Sequence, residues 1–153
     1  MFFIDIAIPR DVEPSVQDIG NVYLYNIDDL EHVVAANIQE REREAARAEV
    51  MQWLMWQMGG FGPMAGQAHH FLHFNPGKAA YAEERFGAEV KRLYSVLDKQ
   101  LEGRDHICGE YSIADMACWP WVSRYEWQQI DLADYPNVRA WYQRLRARDA
   151  VQK

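Results

Sequence analysis

Residues 40–57 read EREREAARAEVMQWLMWQ and change in character halfway along. The first half is a run of charged side chains typical of a solvated helix, whereas the second half is dense in Trp and Met. No Gly or Pro occurs from Val22 through Met58, so no helix breaker precedes Gly59. We therefore predict one continuous helix from about Leu30 to Gln57.

The segment before this helix is strand-like. Residues 2–8 (FFIDIAI) and 21–27 (NVYLYNI) are rich in aromatic and branched apolar side chains, which favours two short strands. The intervening PRDVEPSVQDIG holds two prolines and a glycine, so we expect a turn-rich connection there. Asp28 or Asp29 is the expected N-terminal cap of the long helix.

The rest of the chain predicts further helices. Gly- and Pro-containing breaks are expected at GGFGP, NPGK, LEGRDHICGE and LADYPN. Within GEYSIADMACWPW, Ser112 and Asp115 have the spacing of a capping box, which marks a helix start. That structural role accounts for both residues, so we assign neither a catalytic one. The fold class is therefore mainly α, with a helical bundle and a small two-stranded β element.

The composition restricts the classes of function. A formal net charge of −7 argues against a nucleic-acid or anionic-membrane partner, since both need a basic face. No apolar run has the length of a membrane span and no basic segment opens a signal peptide, so we expect a cytoplasmic protein. Cys108 and Cys118 lack C-x-x-C spacing, which favours passive thiols over a redox pair.

Several motifs from residue 59 onward carry a family resemblance. GGFGPMAGQAHHF, YAEERF, RLYSVLDKQLEGRDHICGEYSIADMACWPWV and IDLADYPNVRAWYQRLRARDAV resemble the C-terminal helical domain of glutathione transferases. The similarity is greatest to the bacterial nu-class, disulfide-reductase-like branch, and it covers about residues 45–153. It implies a helical bundle in which the capping box begins the central core helix.

The same resemblance implies a glutathione site. It indicates that Arg85, in YAEERF, helps to bind and activate glutathione, because a guanidinium holds a carboxylate bidentately or stabilises a thiolate. It also puts Gln67 near the same cleft. We favour the structural reading of both residues, in which Arg85 is an exposed side chain paired with Glu89 four residues on and Gln67 is a helix-surface amide; Arg85 is the catalytic candidate if any activity remains.

The N-terminal part resembles a different family. FFIDIAIPRDVEPSV and VYLYNIDDLEHVVAANIQEREREAARAE resemble glutamyl-tRNA reductase over about residues 2–49, where its nucleotide-binding domain passes into its spinal helix. In that family Pro9, Arg10 and Asp11 would lie near the nicotinamide. GGFGPMAG is not the G-x-G-x-x-G turn and follows no strand, so we do not expect NADP binding.

The two resemblances meet in AARAE, residues 45–49, which suits both families. We interpret the chain as a chimera joined inside a helix. Its predicted parts are the two-strand fragment at residues 1–29, the shared helix at 30–57 and the transferase-like bundle at 58–153.

Two further sequence patterns could indicate a metal site or a ligand-binding site. His69 and His73 in HHFLH have the i,i+4 spacing of zinc ligands, but the H-E-x-x-H glutamate is missing and no third ligand lies near in sequence, so we expect no metal. A set of aromatic residues reads as a ligand box or as core packing, and helical spacing favours the core. The set is Trp53, Trp56, Phe86, Tyr94, Trp119 and Trp121.

These observations lead to a function hypothesis with alternatives. Nothing before residue 45 reads as the thioredoxin-like domain that binds most of the glutathione in the transferase family. We therefore expect a non-catalytic scaffold, engineered or recombined, without a cofactor. The alternative is a residual glutathione-binding or glutathione transferase-like enzyme, and a third class is a haem-pathway interaction module. We expect a homo-oligomer, with the apolar N-terminal strands as its candidate interface.

Overall fold

The structure, a computed structural model, describes residues 2–5 and 11–152. It divides into two compact units, Met1–Ala45 and Ala46–Lys153. The mainly helical fold class expected from the sequence is confirmed. The three-part division at residues 29 and 57 stays a prediction.

The first unit holds a two-stranded parallel sheet. Strands β1 (Phe2–Asp5) and β2 (Tyr23–Asn26) pair with Phe2 opposite Tyr23 and Asp5 opposite Asn26. A 3₁₀ helix over Pro14–Asp18 lies in their connection. The buried Asp5 carboxylate accepts the Val12 N–H at 3.1 Å, which fixes the start of that connection against the end of β1.

Helix α1 (Ile27–Trp56) follows β2 directly. The cap expected at Asp28 or Asp29 lies at Asn26 instead. The Asn26 Oδ1 accepts the Asp29 N–H at 3.0 Å, and the Asp29 carboxylate accepts the Asn26 N–H at 2.9 Å. This reciprocal pair satisfies two backbone amides, so an Asn followed three residues later by Asp does the work of a capping box. Residues 31–48 of the helix are exposed, as their charge content predicts.

The second unit contains the hydrophobic core. Its helices are α2 (Gly62–Ala68), α3 (Ala80–Gln100), α4 (Ile113–Val122), α5 (Pro136–Arg146) and α6 (Asp149–Gln152), with 3₁₀ turns at Tyr125–Gln128 and Leu132–Asp134. Helix α3 buries residues at i, i+3, i+4 and i+7, the spacing of one helical face. These residues are Val90, Leu93, Tyr94 and Leu97, and they meet Val138, Trp141 and Leu145 of α5 in one cluster.

The break expected at GGFGP is wrong, because the backbone stays helical through it. Residues Gln57–Phe61 form a π-helical turn in which the Gly62 N–H donates to the Gln57 carbonyl. Pro63 falls in the first turn of α2, directly after the π-helical turn. A Cβ on Gly62 would lie 2.6 Å from the Gln57 Nε2 and 3.1 Å from the Trp121 Nε1, so a larger residue here would require these side chains to shift.

The capping box predicted at the start of α4 is confirmed. The Ser112 Oγ accepts the Ala114 N–H at 3.2 Å, and the Asp115 carboxylate accepts the Ser112 N–H at 2.9 Å. Asp115 is fully buried and also accepts the Ile107 N–H at 3.0 Å and the Trp141 Nε1–H at 2.8 Å. One carboxylate therefore joins the start of α4 to the preceding loop and to α5.

Candidate functional site

An open cleft of about 600 Å³ lies where α2 faces α3. Three charged residues of α3 line this cleft, at spacings of four and three residues: Arg85, Glu89 and Arg92. Such spacing puts all three side chains on one face of the helix. Met64 from α2 and Phe86 and Ala88 from α3 complete the lining.

The charges in this cleft are not paired as the sequence suggested. Arg92 donates to both oxygens of the Glu89 carboxylate, from Nε at 2.8 Å and from Nη2 at 2.7 Å. That hydrogen bonding holds the pKa of Glu89 below its ordinary value, and the charges of Arg92 and Arg85 act in the same direction. The expected Arg85–Glu89 ion pair is therefore wrong, because Glu89 is engaged by the residue three positions later.

Arg85 is exposed and near Glu89 without being bound to it. In the described part of the chain, no residue forms a hydrogen bond or ion pair with its guanidinium. A guanidinium with five unengaged N–H donors is suited to a carboxylate or to a thiolate. The cleft thus presents an available cation beside an apolar wall of Met64 and Phe86.

Gln67, the second residue suggested by the resemblance, is exposed on α2. It lies three residues after Met64, yet it does not line the cleft that holds Arg85. The structure therefore brings Arg85 to the cleft and leaves Gln67 beside it. Arg92 and Met64 were missed, although the i, i+4, i+7 order of Arg85, Glu89 and Arg92 signals a shared face; Phe86 was named in the aromatic set, where core packing was favoured over a ligand site.

The two histidines of HHFLH have separate surroundings. His69 is buried, its ring stacks on Trp121 at 5.9 Å, and its Nε2 lies 3.0 Å from the Gln128 Nε2. Burial lowers the pKa of His69, and the charges of Arg124 and His73 add to that effect. The His73 ring lies parallel to Trp127 at 4.6 Å. Across residues 2–5 and 11–152, no three His, Cys, Asp or Glu side chains are grouped to hold a metal.

Both thiols are free, and neither is activated. Burial raises the pKa of Cys108 to about 11, with the Glu49 charge as a further cause. Burial also raises the pKa of the fully buried Cys118. Because the thiolate is the reactive form, both are weak nucleophiles at neutral pH.

The aromatic set forms part of the core and its margin. Trp53 and Tyr94 are buried, and Trp56, Phe86, Trp119 and Trp121 are half-buried. The Trp53 and Trp56 rings meet edge-to-face with centroids 4.9 Å apart, and the Trp56 ring stacks on Phe61 with centroids 5.2 Å apart. Core packing is therefore the role that the structure supports for Trp53, Trp56 and Tyr94, whereas Phe86 lines the cleft of Arg85.

Two further expectations concern the rest of the chain. Pro9 and Arg10 of the PRD motif lie outside the described residues, and the Asp11 N–H donates to the Asp5 Oδ1 at 3.5 Å. Within the part of the chain that the structure describes, no helix combines the length and the apolar character needed to cross a membrane.

Comparison with known proteins identifies the helical part. The profile of the glutathione S-transferase C-terminal domain matches residues 61–149. The disulfide-bond oxidoreductase YfcG of Escherichia coli is 55% identical over 69% of this chain and 49% of its own length. A solved glutathione transferase from Burkholderia graminis, with two glutathione molecules bound per subunit, is 42% identical over 71% of this chain and 49% of its own, with a TM-score of 0.63. The chain spans about half the length of these relatives.

The N-terminal part matches other proteins. The profile of shikimate / quinate 5-dehydrogenase matches residues 1–33. The glutamyl-tRNA reductase of Geobacter sulfurreducens is 63% identical over 32% of this chain and 11% of its own length. The two resemblances inferred from the sequence are therefore confirmed, and the chain joins a reductase-like fragment to a transferase-like bundle.

The expectation of a non-catalytic scaffold is wrong. That expectation rested on the observation that nothing before residue 45 reads as a thioredoxin-like domain. The 55% identity to an oxidoreductase and the glutathione-bound transferase instead support an enzyme of the alternative kind. The helical unit retains an open cleft and the Arg85 guanidinium on which that alternative depends. Through residues 61–149, the chain belongs to the glutathione S-transferase family.

Proposed function

We propose that the chain is a glutathione-binding, glutathione transferase-like enzyme that promotes thiol–disulfide exchange. The observation that carries this proposal is the exposed Arg85 guanidinium on the wall of the cleft. It lies within a helical unit that is 55% identical to a disulfide-bond oxidoreductase. Glutathione offers two carboxylates and a thiol, which are the groups that a guanidinium binds or stabilises.

The chain's own cysteines are unsuited to the attacking role, since the pKa values of Cys108 and Cys118 are both raised. We therefore assign the attack to the glutathione thiolate, which a nearby cation favours by lowering the thiol pKa. Its sulfur bonds to one sulfur of a substrate disulfide, the S–S bond breaks, and the other sulfur leaves as a thiolate that takes a proton from water.

The walls of the cleft support this chemistry. Met64 and Phe86 line it, and the Phe86 ring stacks on Phe71 at 5.5 Å, which fixes the position of that wall. This apolar wall lies next to Arg85, whose guanidinium is exposed to solvent. Arg92 is held by Glu89, so Arg85 is the arginine of this face whose donors are open to a ligand in the described structure.

Calorimetric titration with reduced glutathione tests the binding step. The expected result is saturable binding by the unaltered chain that Arg85→Ala weakens by about tenfold or more, the value of a charge-assisted hydrogen bond. Arg43→Ala, which removes an exposed arginine from α1, is the matched control and should leave binding unchanged. Equal binding by the Arg85→Ala and Arg43→Ala variants would overturn the proposed site.

We also propose that the chain self-associates through its N-terminal sheet. A two-stranded sheet is marginal in water and has two open edges. Phe2 and Ile4 on β1 are 71% and 59% exposed, and Tyr23 on β2 is 53% exposed. A second copy would pair the edges and cover these side chains, most simply with twofold symmetry.

Light scattering on two variants separates this route from others. Ile4→Lys puts a charge on the sheet, whereas Ile19→Lys puts the same charge at a residue of equal exposure, 58%, outside the strands. We expect Ile4→Lys to reduce the mass of the assembly and Ile19→Lys to leave it unchanged. If both variants keep the mass of the unaltered chain, another surface forms the assembly.

A further inference from the structure

Helix α5 and the two residues after it carry a concentration of positive charge. Residues 136–148 contain four arginines and no acidic residue, in a chain whose formal net charge is −7. Two of the four have partners within the protein. Arg144 bonds to the Asp105 carboxylate at 2.8 Å, and the Arg148 guanidinium lies 3.7 Å from the centre of the Tyr111 ring.

The other two arginines, Arg139 and Arg146, have open guanidinium groups. Neither forms a hydrogen bond or ion pair with any residue among 2–5 and 11–152. With Tyr142 and Gln143 they occupy positions i, i+3, i+4 and i+7 of α5, which is one face of the helix. The opposite face, Val138, Trp141 and Leu145, is buried.

This face forms one wall of a second cleft, of about 410 Å³, separate from the cleft of Arg85. Tyr125, Asp131 and Leu132 line its other side. The Asp131 Oδ1 accepts the Ala133 N–H at 2.8 Å, so the lining holds two cations and one carboxylate that caps a turn. The cleft has the size of a small-molecule site and a net positive lining.

The aromatic part of this cleft is held in place by ring contacts. The Tyr142 ring is stacked on Trp119, with centroids 6.0 Å apart and planes 14° apart, and it meets Tyr125 edge-to-face at 6.0 Å. Burial raises the pKa of Tyr125, and so does the charge of Glu126, whose carboxylate accepts the Tyr125 hydroxyl at 3.4 Å; the nearby Arg146 charge opposes that rise. Fixed rings beside cations suit a ligand that is both aromatic and anionic.

The spacing of the arginines indicates the length of the ligand. Arg139 and Arg146 are seven residues apart, which corresponds to about 10 Å along a helix. One small anion cannot use both arginines fully, whereas an elongated molecule with an acid group at each end can. Gln143, between them, offers an amide to the middle of such a ligand.

We propose that this cleft binds an elongated aromatic diacid, with one anionic group on Arg139 and the other on Arg146. The ring system lies against the Tyr125–Tyr142 wall. The site is independent of the glutathione cleft and of its arginine, so occupation of one cleft leaves the other open.

Calorimetry with biphenyl dicarboxylate, which has one carboxylate at each end of the ring pair, tests the proposal on the full chain. We expect saturable binding that saturating glutathione does not displace and that Arg85→Ala does not change. Biphenyl monocarboxylate should bind about tenfold more weakly, since it loses one charge-assisted pair.

The variant arm uses Arg139→Gln with Arg146→Gln, two exposed positions where Gln keeps helix propensity. This double variant should lose at least tenfold in affinity, whereas Arg41→Gln with Arg43→Gln removes the same charge from α1 and should have no effect. Absence of dicarboxylate binding, equal affinity in the two double variants, or displacement by glutathione would each overturn the proposal. Those results would leave the Arg85 site untouched.

Discussion

Replacement of Asp115 should destabilise the helical unit more than any exposed substitution. Its buried carboxylate accepts from Ile107 N–H at 3.0 Å, Trp141 Nε1–H at 2.8 Å and Ser112 N–H at 2.9 Å. Asp115→Ala leaves at least two of these donors buried without an acceptor, at about 1–3 kcal/mol each. The lost capping box adds about 1 kcal/mol, so we expect a total loss of about 4 kcal/mol.

Equilibrium unfolding in urea, followed by Trp fluorescence, measures this loss. Ser112→Ala is the matched control, because it removes one capping interaction and leaves the Ile107 and Trp141 donors satisfied. We expect it to cost about 1 kcal/mol. If Asp115→Ala costs no more than Ser112→Ala, the carboxylate does not join α4 to α5 in the way described.

Three further outcomes follow from the same structure. The pKa of His69 in the folded chain lies below its ordinary value of 6.5, so on acidification the unfolded chain takes up a proton before the folded chain does. The free energy of unfolding should therefore fall as the pH drops below about 6.5, and His69→Gln should flatten that decline in urea titrations at several pH values. Gly62→Ala should lower the free energy of unfolding by about 1–3 kcal/mol through overpacking against Gln57, whereas Gly20→Ala, where a Cβ meets nothing within 4 Å, should not lower it comparably. Cys108, whose pKa is raised to about 11, should react slowly with a thiol reagent at neutral pH and faster as the pH approaches that value; fast reaction at neutral pH would contradict its burial.

Local sequence signals anticipated the start of α4 because both partners of its capping box lie within four residues. The spacing of Ser112 and Asp115 is enough to predict the box. The bonds from Asp115 to Ile107 and Trp141 join residues 8 and 26 positions away, and no local pattern reports them. The sequence likewise could not show that Glu89 pairs with Arg92 and not with Arg85. Spacings of three and four are both favourable on a helix, and side-chain geometry decides between them.

GGFGP shows how a compositional rule fails when packing opposes it. Glycine and proline favour a break, but the Pro63 ring fits the first turn of α2, and Gly62 lets the Gln57 and Trp121 side chains approach the backbone closely. The cleft itself was predicted only through family resemblance. From sequence alone Arg85 looks like an ordinary surface residue. Only the side chains of α3 show that Glu89 is bound to Arg92, which leaves Arg85 without a hydrogen-bond partner among the residues that the structure describes.

The rate of thiol–disulfide exchange, with reduced glutathione and a small model disulfide, tests directly whether the chain acts as a glutathione-dependent enzyme through Arg85. We expect turnover above the buffer rate by the unaltered chain. We also expect Arg85→Ala to lower kcat/KM by about tenfold or more, equal to about 1.4 kcal/mol of transition-state stabilisation. Arg43→Ala should retain the full rate. Turnover no faster than buffer, or an Arg85→Ala variant as fast as the Arg43→Ala control, would contradict the assignment of Arg85 as the glutathione-binding residue of the enzyme.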